Sequence, residues 1–69
     1  MPVKIFFNDE ITLLPKDVVN IADLLGWKNI KSVSTAVSVN NQIIKKDQWN
    51  NQRLKDGDNV IVFSAAFGG

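Results

Sequence analysis

From Val60 to Phe63 the chain carries no polar side chain. Read as a strand, this stretch sends Val60 and Val62 to one face and Ile61 and Phe63 to the other. A strand that is apolar on both faces belongs in the middle of a sheet, flanked by neighbours on both sides. That requirement governs the rest of the reading, because the sequence offers one clear amphipathic helix, and one helix covers only one face of a small sheet. Val60 and Val62 are therefore expected beneath the helix. Ile61 and Phe63 are expected on the uncovered face and at least partly exposed. Such a pair is either a local packing detail or part of an apolar surface for a partner.

The other elements follow in order. Val3 to Phe7 is β-branched and aromatic, as a first strand should be. Asn8-Asp9-Glu10 is a turn signal, and Ile11 to Leu14 returns as a second strand to make a hairpin. Asp9 and Glu10 are adjacent on a turn and point into water, which suits a solvated turn better than an acid/base pair. Pro15 stops the strand. Asp17 is the expected N-cap of a short helix in which Val18, Ile21, Ala22 and Leu25 share one face. Gly26 is expected at C′, where it would close that helix. Asn20 and Asp23 fall on the polar side. Trp27 to Ser34 reads as loop. Ala36 to Val39 alternates cleanly as a third strand, Asn40-Asn41-Gln42 is a turn, and Ile43-Ile44 is a short fourth strand. Lys45 to Leu54 reads as an irregular or single-turn helical crossover anchored by Trp49 and Leu54. Trp49 is better read as a half-buried anchor than as a stacking platform for a base, because no basic groove surrounds it. Asp56-Gly57-Asp58 is a turn in which Gly57 takes positive φ and the aspartates cap nearby N–H groups; an EF-hand ligand pattern is absent.

Hairpin, helix and further strands give an α+β fold, a small mixed sheet with one main helix packed across it. The first and last strands are expected to be neighbours. Residues 1–69 make a single domain, with 64–69 expected as a flexible C-terminal tail.

Composition narrows the chemistry. The chain has no Cys, His or Tyr. Disulfides, Cys/His zinc sites and imidazole catalysis are thereby excluded. No metal site is expected. Eight basic residues nearly balance seven acidic ones, and Arg53 is the single arginine. That balance gives little support for nucleic-acid binding. No apolar run is long enough to cross a membrane, and a cytoplasmic location is the expectation.

The sequence closes on Ser64-Ala65-Ala66-Phe67-Gly68-Gly69. Beyond the last strand these residues would form a thin arm reaching roughly 20 Å at ~3.3–3.6 Å per residue. Its one functional group would be the carboxylate of Gly69. A carboxylate becomes an acyl donor when ATP converts it to a mixed anhydride with AMP. Glycine suits that chemistry because it is slender, leaves the carbonyl unhindered and cannot racemise. The activated glycyl group can pass to an amine or to a sulfur donor, the latter giving a thiocarboxylate. The small domain would then be a carrier whose partners perform the catalysis.

Specific stretches carry a family resemblance. Val39-Asn40-Asn41-Gln42-Ile43-Ile44-Lys45-Lys46-Asp47-Gln48-Trp49, then Leu54-Lys55-Asp56-Gly57-Asp58-Asn59-Val60, then Gly68-Gly69, resemble the thiamin-biosynthesis sulfur carriers of ThiS type. The opening Ile5-Phe6-Phe7-Asn8-Asp9 and the short helix ending Leu24-Leu25 also match, so the likeness spans essentially the whole chain. It implies a ubiquitin-like β-grasp fold. It implies that Gly69 is adenylated by an E1-like activating enzyme (ThiF type) that uses ATP. It further implies conversion to a thiocarboxylate with sulfur from a donor protein, and delivery of that sulfur to thiazole synthase (ThiG type). The chain itself would be a carrier with no bound cofactor, not an enzyme. Gly68, Phe67 and Ala66, with Ile61 and Phe63, are the expected partner contacts. Phe67 is bulkier than the small residue the family often places there, and Lys45 stands where a proline is usual. The small subunit of molybdopterin synthase, also a sulfur donor, is the alternative within the carrier class. A passive ubiquitin-like interaction module is the alternative outside it.

Overall fold

The computed structural model describes residues 3–31, 33 and 35–64. Five strands form one mixed sheet, crossed on one face by a helix. The strands are β1 (Val3–Phe7), β2 (Glu10–Leu14), β3 (Thr35–Val39), β4 (Gln42–Ile44) and β5 (Asn59–Ser64); the helix is α1 (Ile21–Trp27). This is the β-grasp arrangement. The sheet order is β2-β1-β5-β3-β4, so the doubly apolar β5 lies at the centre, as its composition requires. It runs parallel to β1, with Phe7 opposite Val60, and antiparallel to β3, with Val37 opposite Val62.

Both hairpins close through two-residue turns of the same kind. Asn8 and Asp9 (φ 48 and 70) join β1 to β2, and Asn40 and Asn41 (φ 52 and 72) join β3 to β4. Positive φ at both central positions gives a turn whose twist matches that of the flanking strands. Asn and Asp adopt it at lower cost than other side chains with a Cβ.

The core forms where α1 meets the inner face of the sheet. Ile5, Val37 and Val60 from the strands and Ile21 and Leu24 from the helix are wholly buried. Val60 is thus beneath the helix as expected, and Val62 packs against the edge of the same cluster.

The helix departs from expectation at both ends. Its N-cap is Asn20, not Asp17. Asn20 Oδ1 accepts from the Asp23 N–H at 2.8 Å, and Asp23 Oδ2 accepts from the Val19 N–H at 3.1 Å. Residues 15–18 form a turn, with the Val18 N–H donating to the Pro15 carbonyl. The Val19 carbonyl accepts from the Leu54 N–H, and Asn20 forms a bridge with Arg53. The backbone before Ile21 is therefore committed to the crossover and is not free to begin a helix.

Gly26 lies inside the helix rather than at C′. That place belongs to Asn29 (φ 59). The Asn29 N–H donates to the Gly26 carbonyl and the Ile30 N–H to the Leu25 carbonyl. This pair of bonds is a Schellman motif, and the half-buried Ile30 provides its usual apolar contact. Trp27 is the last helical residue, not loop. Its ring is half-exposed, and Lys28 Nζ stands 4.9 Å from both the Trp27 and the Phe7 ring centroids.

The crossover contains a single 3-10 turn, Lys46–Gln48, anchored by buried Trp49 and Leu54. Trp49 Nε1 donates to the Ile44 carbonyl at 3.0 Å, so the ring is tied as well as packed. At the following turn Gly57 has φ 90. Asp56 Oδ1 accepts from the Lys4 N–H and Asp58 Oδ2 from the Lys55 N–H, both at 2.8 Å. Asp58 is buried, and its other oxygen accepts from Asn40 Nδ2 at 3.0 Å. Asn40 Oδ1 in turn accepts from the Asn59 N–H. One aspartate and one asparagine thus fix the start of β5 against the β3–β4 turn.

Candidate functional site

The candidate site is built on β5 and on the face of the sheet that α1 leaves open. Alternation along β5 buries Val60 and turns Ile61 and Phe63 outward, as read from the sequence. Register then shows what surrounds them. Ser38 of β3 lies opposite Ile61 on one side and Ile43 on the other, and Ala36 lies opposite Phe63. In the neighbouring hairpin Phe6 faces Ile11, and Lys4 faces Leu13, on the same outer surface. Ile11, Leu13 and Ile43 are each more than 60% exposed, and Phe6 and Phe63 are 40% and 43% exposed.

Almost the whole outer face is therefore apolar, with Lys4 the one charged side chain at these positions. Singly exposed apolar residues are ordinary, whereas several that share one sheet face make that face a candidate interaction surface. Sequence reading singled out Ile61 and Phe63 and missed Phe6, Ile11, Leu13 and Ile43. The signal was available. Once Ile5 and Phe7 are placed beneath the helix, period-two alternation puts Phe6 outside, and the hairpin register carries Ile11 and Leu13 with it.

The strand runs one residue past Phe63. Ser64, expected to open the tail, instead pairs with Thr35 and belongs to β5, and Ala65 lies outside the described residues. A side-chain bond steadies this last part of β5. Asn8 Oδ1 accepts from the Val62 N–H at 2.8 Å, where β1 has already turned away into its hairpin. The asparagine stands in for the β1 partner that Val62 lacks on that side, its other side pairing with Val37. Ala66, Phe67, Gly68 and Gly69 lie outside the described residues. Among the described residues no group of three or more acidic side chains is placed to hold a metal ion, and no helix is long and apolar enough to cross a membrane.

A family profile described as the ThiS family matches residues 3–69. The chain belongs to the ThiS family. The match takes in every strand, the helix and the two closing glycines. Among its relatives, the sulfur carrier protein ThiS of Escherichia coli strain K12 is 27% identical over 67 residues, covering 97% of this chain and 100% of that protein. The crystal structure of the thiamine biosynthesis protein ThiS from Geobacter metallireducens superposes with a TM-score of 0.83. That structure is 19% identical, and the superposition covers 97% of this chain and 100% of the other. At such identity the likeness establishes the fold, and it does so over the full ThiS-family domain.

Proposed function

We propose that this chain is a sulfur carrier of thiamin biosynthesis and that the sulfur it carries is bonded at the carboxyl carbon of Gly69. The observation that bears most weight is the ThiS-family match across residues 3–69, which includes Gly68-Gly69. The sheet supports it mechanically: β5 is held on both sides and leads directly into the sequence Ala65 to Gly69. No observation favours the molybdopterin alternative over this family reading.

In the proposed cycle an E1-like activating enzyme of ThiF type binds the apolar outer face through Ile61, Phe63 and their neighbours. It holds Ala66, Phe67 and Gly68 in a channel beside ATP. The Gly69 carboxylate attacks the α-phosphorus, pyrophosphate leaves, and a glycyl adenylate forms. The terminal sulfur of a donor-protein persulfide then displaces AMP to give an acyl disulfide, and a thiol of the partner cleaves the S–S bond, forming a disulfide with the donor cysteine and releasing sulfur bonded to the Gly69 carbonyl carbon. The resulting thiocarboxylate is the nucleophile presented to a thiazole synthase of ThiG type. In this cycle the chain is a co-substrate: it supplies recognition and a handle, and the bond-making groups belong to its partners.

The test is the intact mass of the chain after incubation with ATP, an activating enzyme and a sulfur donor. The expected gain corresponds to one oxygen replaced by sulfur, and it is absent when Gly68 and Gly69 are deleted. A folded chain that gains no mass and forms no adenylate, with an enzyme active on its own carrier, would overturn the proposal.

A further inference from the structure

A groove of about 500 Å³ opens at the end of the sheet where β1 begins and β2 finishes. Its apolar wall is Val3, Leu14, Val18 and Leu54, and two cations, Lys16 and Arg53, border it. Among the described residues no acidic side chain lines it. The outer sheet face and β5 do not contribute to it. The parallel register sets Phe6 level with Asn59, which places Val3 and Ser64 at opposite ends of the sheet, roughly 25 Å apart at ~3.3 Å per residue.

Arg53 is the only arginine in the sequence. Its backbone is fixed by the bridge to Asn20 and by the neighbouring bond from the Leu54 N–H to the Val19 carbonyl. A planar guanidinium on a fixed base is the side chain best matched to a carboxylate, which it can grip through two parallel N–H donors. The volume falls within the range of small-ligand sites, which are mostly apolar with a few placed polar groups. From this charge complementarity we infer that the groove is a second binding site, for a small monocarboxylate with an apolar body. The carboxylate sits between Arg53 and Lys16, and the apolar body lies along Leu14, Val18 and Leu54. Because the site is remote from the end of β5, it can fill while the Gly69 end is engaged. The inference does not rest on the carrier chemistry.

The test is an amide NMR titration of the full chain with sodium octanoate, and with octylammonium as the charge-reversed control. Octanoate is expected to move the Lys16, Val18, Val19, Arg53 and Leu54 amides saturably, while octylammonium leaves them in place. Arg53→Gln together with Lys16→Gln, both exposed positions, should preserve the spectrum and weaken octanoate at least about tenfold, the scale of losing a charge-assisted hydrogen bond. Three outcomes would overturn the inference. One is equal movement by both probes, which means an apolar surface without selectivity. The second is octanoate shifts confined to Ile11, Ile43 and Phe63, which places the ligand on the outer sheet face. The third is groove shifts that follow protein concentration alone, which makes the occupant a second copy of the chain. The mass measurement on Gly69 reads none of these, so the two proposals stand or fall separately.

Discussion

Two glycines show how far a single residue's setting decides its worth. Gly26 is helical, and a Cβ built on it meets nothing within 4 Å. Glycine in a helix interior costs about 0.5–1 kcal/mol relative to alanine. Gly26→Ala should therefore raise the unfolding free energy by about that amount, read as a higher urea midpoint. Gly57 also has open space, but its φ is 90. There the space does not help, because the side chain is penalised by the backbone conformation, and Gly57→Ala should lower the unfolding free energy by about 1 kcal/mol or more, read as a lower midpoint. Paired unfolding curves of the two variants make the comparison. Equal shifts in the same direction would contradict the placement of Gly26 inside α1.

Among the elements, β5 depends on groups outside its own ladder. Asn8 serves it from the β1–β2 turn, and Asp58 and Asn40 fix its start. Asn8→Ala removes the acceptor of the Val62 N–H and places a less tolerant residue at φ 48. The expected loss is about 1–2 kcal/mol. Hydrogen exchange should locate it, with the Val62 amide losing protection beyond the global change and the β3–β4 hairpin amides following the global change only.

The elements also show what was legible in the sequence. All five strands, the crossover anchors Trp49 and Leu54 and the glycine turn follow from alternation, β-branching and turn chemistry. The central place of β5 follows from its two apolar faces. The helix start was not legible, because Val18 is buried from a turn and so continues the apolar period of a helix it does not belong to. What stops the helix there is the pairing of Val19 and Asn20 with the crossover, a contact between residues over thirty apart in sequence that no local pattern contains. The helix end was misread because Gly26 is the conventional terminator, whereas Asn29 supplies the left-handed residue. At the candidate site, Ile61 and Phe63 were legible from β5 alone. The full apolar face required the register of β1 and β2.

For the molecule as a whole, the core and the exposed apolar surface lie on opposite faces of one sheet. The inner face carries the core, and the outer face carries Phe6, Ile11, Leu13, Ile43 and Phe63 in exposed positions. Ile11→Ser with Ile43→Ser should thus move the melting temperature little, since exposed side chains contribute weakly to folding. The same pair should weaken binding to an activating enzyme at least about tenfold, because apolar anchors dominate such interfaces. Calorimetric titration alongside thermal unfolding separates the two effects. A variant that binds normally would place the interface elsewhere.

The central position of β5 has a mechanical consequence. In the proposed cycle, a partner that draws the Gly69 end into a channel loads β5 through its C-terminal end. The antiparallel bonds to β3 lie across the strand and the parallel bonds to β1 are slanted to it, so a load along β5 falls on both ladders together in shear rather than opening one bond at a time. An edge strand peeled from its single neighbour would yield bond by bond. By placing the handle on the strand that is anchored twice, the fold can be tugged during transfer and released without being unravelled.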